Sequence, residues 1–551
     1  MLFQAFDTST ASSSLSAFWR GIALITSASI ICLTIFVVVV IVYRLTLHPL
    51  AKYPGPFWAK ITDWYSVYHA WKCDRHIEFY RCHEKYGSVF RFGPNSLSFN
   101  TESALKEIYG FKANNQKSQF YSVFPATKDA FSTHSCINKT IHARKRRVLS
   151  QAFSDSAIKA MENHMLVHIR KFCAPFNGKE KLVNAGLDTK SMKDPSEWGP
   201  SFDIGQRAGY LSFDVMGDLC FGKAFEVLDK PDNRFVIHLL ENAARRHNTC
   251  GTLPIIHEVH LDKILFPKIS STREVYMKYS KKQAGERTKL GLDADRKDFF
   301  YYLLKAKDPE TGKGFATSEL WGESNLLIIA GSDTTSTALA STFFYLLHNP
   351  QTLSTLTKEI RRTFSNVEDI HSGPTLNSCT YLRACIDEAM RLSPPVGGLM
   401  PREVLTGGME IDGHFIPAGT VVGVPIYGIH HNPSYYPQPF SYIPERWIND
   451  LSPTFLPNSD VHLAQSVFCP FSQGPRGCIG KGMAYVELLA TVARTVFLYD
   501  MRLTPGTHVG EGRVEWEYGR HLPEEYQLRD IFTSLKEGPM VQFRKAENMI
   551  F

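Results

Sequence analysis

The stretch F-S-Q-G-P-R-G-C-I-G, Phe471 to Gly480, decides how the rest of the chain is read. Gly477 and Gly480 flank Cys478, and Gly474 stands four residues before it. Glycine at this density lets backbone approach a partner closely and adopt positive φ. Beyond the loop, Lys481 to Phe497 carries Ala484, Val486, Leu488, Leu489, Val492 and Val496 and reads as a helix. Cys478 therefore stands at a loop-to-helix junction, where the positive end of the helix dipole favours a thiolate. Arg476, two residues upstream, brings a cation and a fork of donors suited to a carboxylate. A thiolate, a surface open to close approach and a carboxylate-binding arginine describe a haem pocket with a cysteine axial ligand.

A buried structural cysteine is the commoner explanation of a lone cysteine in a glycine-rich loop. The pattern F-x-x-G-x-R-x-C-x-G fixes five positions, however. At average residue usage, chance places it in a chain of this length with probability on the order of 10⁻⁴. The pattern is the haem-binding signature of the cytochrome P-450 superfamily, which the sequence resembles from about Leu47 onward. That resemblance implies haem b as cofactor, Cys478 as axial iron ligand, and Phe471 and Arg476 as cofactor-binding neighbours.

The composition is that of a globular protein, 44% apolar and 21% charged over 551 residues. A net charge of +7, spread along the chain, gives no indication of nucleic acid. Eleven cysteines without C-x-x-C pairs argue against a zinc site and a secreted disulfide framework. Gly21 to Tyr43 is an uncharged run of 23 residues, long enough to span a bilayer. A cleaved signal peptide would have a shorter apolar region and a small-residue cleavage site. Arg44, Lys52 and Lys60 follow the run and only Arg20 precedes it. The positive-inside rule then puts residues 1–20 in the lumen and the bulk of the protein in the cytosol. The expected organisation is a lumenal tail (1–20), a single-pass anchor (21–43), a hinge (44–56) and one catalytic domain (57–551). Pro49, Pro54 and Pro56 make the hinge stiff, and microsomal members of the superfamily show the same feature.

Val89 to Asn100 alternates around Gly-Pro-Asn as a hairpin does. In I-H-A-R-K-R-R-V-L-S, His142 and Arg146 share a helical face. The superfamily often has W-x-x-x-R here, with both residues on haem propionates. Arg146 inherits that role by the resemblance, whereas His142 replaces the tryptophan and its role stays open. The neighbouring cations suit a surface that meets an acidic electron donor. Asn138-Lys139-Thr140 matches a glycosylation sequon that a cytosolic orientation would leave unmodified.

Ser318 to about His348 reads as one long helix stopped by Asn349-Pro350. In its middle, A-G-S-D-T-T (Ala330 to Thr335) places poor helix formers and an acid in an apolar run. A surface face with an innocuous kink is the bland alternative. The resemblance implies an oxygen-binding groove where the helix opens, with Thr334 donating hydrogen bonds beside dioxygen and Asp333 relaying protons. Small Ala330 and Gly331 would leave room for oxygen and substrate.

Glu388 and Arg391 also share a helical face, in a segment ended by Pro394-Pro395. Such a pair is usually a surface salt bridge of little worth. The superfamily's E-x-x-R pair is instead buried and joined by an arginine of a P-E-R-[FW] segment, here Pro444 to Trp447. Glu388, Arg391 and Arg446 are the expected structural triad that fixes the Cys478 loop. By the same resemblance Val396 to Met400 lines the substrate pocket and Arg402 binds a propionate. Met409 to Pro425 reads as strand, turn, strand. The spacing of His414, His430 and His431 is wrong for zinc, so they read as packing or loop residues. The C-terminal I-F-T-S-L-K-E-G-P-M-V-Q-F reads as a last hairpin with a pocket-lining tip near Thr533.

The implied fold is mainly α with a smaller β portion behind one transmembrane helix. The implied enzyme is a haem-thiolate monooxygenase in the endoplasmic reticulum membrane, acting on a lipophilic small molecule. No flavin or nicotinamide domain fits in the remaining chain, so the electrons come from a separate NADPH-cytochrome P-450 reductase, with cytochrome b5 as a further donor. The H-P-L-A-K-Y-P-G-P and P-P-V-G-G runs look most like filamentous-fungal members that tailor secondary metabolites. Xenobiotic detoxification and sterol or fatty-acid oxidation stay open as alternatives. A haem-thiolate isomerase or dehydratase would commonly lack the Asp333-Thr334 pair, and a haem sensor would need no proton-relay site.

Overall fold

The computed structural model describes residues 8–125, 131–177, 198–291, 297–456 and 460–546. Residues 1–7 of the expected lumenal tail and 547–551 of the expected catalytic domain lie outside them. Helix α1 (Thr8–Val42) continues through a π-helical turn, Tyr43–Leu47. Within its stretch Phe18–Leu47 an 18-residue window has a mean hydropathy of 2.9, and none of that window is buried. It is the one helix among the described residues long and apolar enough to cross a membrane. Arg44 to Leu47 contain no breaker, and the helical path runs through them beyond the uncharged run. It stops at His48, held extended by the proline that follows. Arg44 ties the junction down by donating to the Ile61 carbonyl and accepting from Arg91 at 2.7 Å.

Helix α2 (Lys139–Ser150) starts on Asn138, whose side chain accepts the Ile141 N–H at 3.0 Å. The sequon asparagine is thus a helix cap. Helices α3 (Ile204–Phe221), α4 (Phe235–Thr252) and α5 (Pro267–Lys289) follow. The long helix α6 (Thr317–His348) lies at the centre, packed on α3, α7 (Thr380–Leu392) and α8 (Lys481–Leu498). Every residue from Thr335 to Leu347 is buried, which removes the amphipathic stripe of a surface helix. Two of its buried hydroxyls bond back to the helix: Thr337 donates to the Asp333 carbonyl at 2.8 Å, sharing its proton with the Ser534 carbonyl, and Thr342 donates to that of Ala338 at 2.7 Å. Leu219 of α3, Leu339 and Phe343 of α6, Ile386 of α7 and Val492 of α8 belong to this main core.

The β portion is small. Strands β1 (Val89–Gly93) and β2 (Ser96–Phe99) form the expected hairpin. With β3 (Asn115–Lys117), β5 (Arg402–Val404) and β8 (Val421–Gly423) they make a sheet of order β1-β2-β8-β5-β3. The pair β2–β8 is parallel; the other neighbours are antiparallel. Strands β6 (Met409–Ile411) and β7 (His414–Ile416) make a separate hairpin through Asp412 and Gly413, both at positive φ. At the C-terminus the expected single hairpin is divided. Strands β10 (Arg529–Ile531) and β11 (Thr533–Leu535) turn at Phe532, whereas β12 (Met540–Lys545) leaves to pair with β9 (Tyr499–Leu503) and β4 (Phe202–Asp203).

Candidate active site

Cys478 opens on a cavity of about 320 Å³ between α6 and the loop before α8. The loop closes on itself where the Cys478 N–H donates to the Phe471 carbonyl at 2.8 Å. The Phe471 ring lines the cavity and lies 5.2 Å from that of Tyr485. Positive φ falls at Ser472 and Gly474, not at the glycines flanking Cys478. At Gly474 a Cβ would come within 1.9 Å of the Tyr109 carbonyl oxygen, so only glycine fits. At Gly477 the nearest atom would be 3.2 Å away, and its φ of −60° is ordinary.

Burial pushes the Cys478 thiol above its usual range; the N–H groups of Gly480 and Lys481 and the charge of Arg146 pull the other way. The helix N-terminus favours the thiolate as the sequence suggests, but burial outweighs it. A metal cation bound at the sulfur would favour the thiolate.

Four cations gather along one side of the cavity. Lys117, Arg146 and Arg476 line it, and Arg402 lies buried behind them with its guanidinium over the Tyr109 ring. They donate to carbonyls: Lys117 to His134 at 2.5 Å, Arg146 to Gly477 at 2.8 Å, Arg476 to Cys136 and Ile137, Arg402 to Met400. Burial and the neighbouring cations push Lys117 far below the ordinary lysine range and Arg476 down to about 10. The same causes hold His142 down at about 3, so it is a neutral imidazole in the cavity wall.

Among the described residues no carboxylate pairs with any of the four cations. Charge of one sign, concentrated at buried and half-buried positions, calls for an anionic ligand. A thiol aimed into an apolar cavity, with cations at its edge, fits a haem: iron at Cys478 and propionates at the cations. The residues present fit the group.

On the α6 side, Ala330, Gly331, Thr334 and Thr335 face the cavity. The helix is continuous here rather than opened, and the Thr334 hydroxyl donates to the Ala330 carbonyl at 2.6 Å. The small size of Gly331 serves packing, because a Cβ there would lie 2.5 Å from Met216 Sδ of α3. Asp333 does not join Thr334. Its carboxylate accepts from Thr533 Oγ1 at 3.3 Å and lines a second cavity of about 250 Å³ behind α6.

Glu388, Arg391 and Arg446 meet in full burial. Arg391 donates twice to the Glu388 carboxylate, at 2.9 Å each, and Arg446 once at 3.1 Å. The Trp447 indole (3.0 Å) and the Ile443 N–H (3.1 Å) complete the shell of Glu388. Arg391 also donates to the His430 carbonyl at 2.9 Å, and the His430 ring accepts the Cys469 N–H at 3.0 Å. The ion triad is thereby connected, through His430, to the start of the Cys478 loop.

Val396, Met400 and Thr533 line the main cavity as the sequence suggests. Lys117, His134, Phe532 and Glu487 line it too, and sequence reasoning missed them. Glu487 is buried, accepts from Ser212 Oγ at 2.7 Å, and burial pushes it up to about 7. Its place on α8, nine residues beyond Cys478, was the only available signal.

Residues 60–516 match the model of the family described as Cytochrome P450. The chain belongs to the cytochrome P450 family and is a haem-thiolate monooxygenase. It is 40% identical over 514 residues to cytochrome P450 monooxygenase AKT7 of Alternaria alternata, covering 93% of this chain and 96% of the relative. It is 39% identical to monooxygenase atnE of Emericella nidulans, covering 96% of each chain, and 39% identical to poxM of Penicillium oxalicum, covering 92% of each. Membership implies a redox partner and, in general, a lipophilic substrate.

Proposed function

We propose that this chain is a membrane-anchored tailoring monooxygenase of fungal secondary metabolism. It would hydroxylate, epoxidise or repeatedly oxidise one lipophilic compound. The observation that carries the reading is one cavity lined by Cys478, Thr334, Lys117, Arg146 and Arg476. Relatives about 40% identical over nearly the full length, all from filamentous fungi, support the narrower setting.

Haem b is the proposed cofactor, with Cys478 on its iron. Arg146, Arg476 and Lys117 would hold the propionates, with neutral His142 as a further hydrogen-bond partner and Arg402 adding its charge from behind. When bound, the haem supplies the oxygen-splitting chemistry in which one atom enters the substrate and the other leaves as water. Phe471 lines the same cavity as the sulfur, and its carbonyl holds the Cys478 backbone in place. Val396, Met400 and Phe532 present apolar surface that orients the substrate. Thr334 and Asp333 handle the protons that oxygen reduction consumes. The Glu388–Arg391–Arg446 triad holds the loop and takes no part in chemistry. NADPH-cytochrome P-450 reductase, with cytochrome b5 as a second donor, would deliver electrons on the cytosolic side of the endoplasmic reticulum, where α1 anchors the protein.

Deleting the gene in its native host and comparing metabolites by high-resolution mass spectrometry tests this. Accumulation of a compound one oxygen poorer than the lost product is expected. An unchanged metabolite profile under conditions where the gene is expressed would contradict a biosynthetic role.

A further inference from the structure

The second cavity lies against the face of α6 opposite the one that lines the main cavity. Asp333, Ser332 and Ser336 of α6, Glu241 and His238 of α4, Arg234 just before α4, Asp203 of β4, and Lys536 and Glu537 after β11 surround it. Leu240 belongs to both cavities and forms part of the wall between them. A hydrogen bond joins residues of the two linings: Thr533, which lines the main cavity, donates through Oγ1 to Oδ2 of Asp333, which lines the second.

The hairpin holds Thr533 firmly in place. The neighbouring Ser534 donates its N–H to the Pro395 carbonyl at 2.9 Å and its hydroxyl to that of Pro394 at 3.0 Å. Its own carbonyl accepts from Thr337 of α6 at 3.1 Å. The Thr334 hydroxyl is occupied by the Ala330 carbonyl.

We infer that protons enter the main cavity from the second one through Asp333 and Thr533, with the hairpin hydroxyl as the last relay. This deepens the monooxygenase reading and rests on it. Protonated Asp333 donates its carboxyl proton to Thr533 Oγ1 while Thr533 passes its hydroxyl proton to water in the main cavity. The carboxylate left behind takes a proton from hydronium in solvent that reaches the second cavity. The Thr533 hydroxyl then turns back toward the main cavity, so each pass moves one proton and restores both residues. Burial pushes Asp333 up to about 6, with Lys536 and Thr533 holding it down and Glu241 adding to the rise. A group in that range both gains and loses a proton readily near neutrality.

The test uses the full-length holoenzyme with purified reductase, NADPH and dioxygen, comparing Thr533→Val, Thr533→Ser and Thr334→Val. One readout is hydrogen peroxide released per oxygen consumed; the other is the infrared band of the Asp333 carboxyl, identified by its loss in Asp333→Asn. Thr533→Val should raise the peroxide share severalfold and shift the band, because the carboxyl loses its partner. Thr533→Ser should restore both, and Thr334→Val should leave the band in place. A Thr533→Val enzyme unchanged in either readout, while wild type turns over, would overturn the relay alone. A wild-type holoenzyme that consumed no oxygen would instead overturn the monooxygenase reading.

Discussion

Lys117 and Arg402 are register partners across β3 and β5, two buried cations side by side. Like charges directly opposite on a sheet destabilise it, and burial adds a desolvation cost. The Tyr121 ring, 4.0 Å from Lys117 Nζ, offsets part of this. The haem propionates would offset the rest.

Lys117→Met should therefore act in opposite directions on the two forms of the protein. The haem-stripped variant should melt at a higher temperature than stripped wild type, while haem dissociates faster from the variant holoprotein. Thermal melts and haem transfer to apomyoglobin measure the two effects. Lower stability of the stripped variant would contradict the account.

Glu388→Ala leaves Arg391 and Arg446 buried without their counter-charge, a loss of about 3–5 kcal/mol. Because the triad reaches Cys469 through His430, the loss should appear as absent haem rather than as a slow enzyme. Haem content per purified protein decides it; a Glu388→Ala protein with full haem would remove the triad from the account.

The signature glycines should separate by φ. Gly474→Ala must strain a backbone at φ +66° and displace Tyr109, so the loop should not form and haem should be lost. Gly477→Ala, at φ −60°, asks for a shift of a few tenths of an ångström and should keep most of its haem.

Glu487 makes stability depend on pH. Its folded-state pKa of about 7 stands above the ordinary 4.5, so its contribution is fully present below about pH 4.5 and is lost as pH rises through 7. The difference is of the order of 3 kcal/mol. Melts from acid to mildly alkaline pH should show Glu487→Gln losing less stability than wild type over that window. Parallel curves would count against a protonated Glu487.

What was legible in the sequence is what lies in short covalent reach of a motif. Cys478, Arg476 and Phe471 share one loop, Glu388 and Arg391 one helical face, and the long helix α6 announces its C-terminal end with Asn349-Pro350. Arg446 was legible only because its own segment carries a pattern. Lys117 sits in a three-residue strand with no signal of its own and gains meaning from Arg402, far along the chain. The Asp333–Thr533 bond joins residues 200 apart, and no local pattern tells which cavity a helical carboxylate enters. Nothing in Arg44 to Leu47 marks where the helical path after α1 stops; the proline after His48 does.

The central claim is that Cys478 is the thiolate ligand of a haem. Carbon monoxide added to the reduced, purified full-length protein tests it most directly. The expected result is the strongly red-shifted Soret band of a thiolate-ligated haem, absent from Cys478→Ala. An unshifted band typical of histidine ligation, or the red-shifted band persisting in Cys478→Ala, would contradict it.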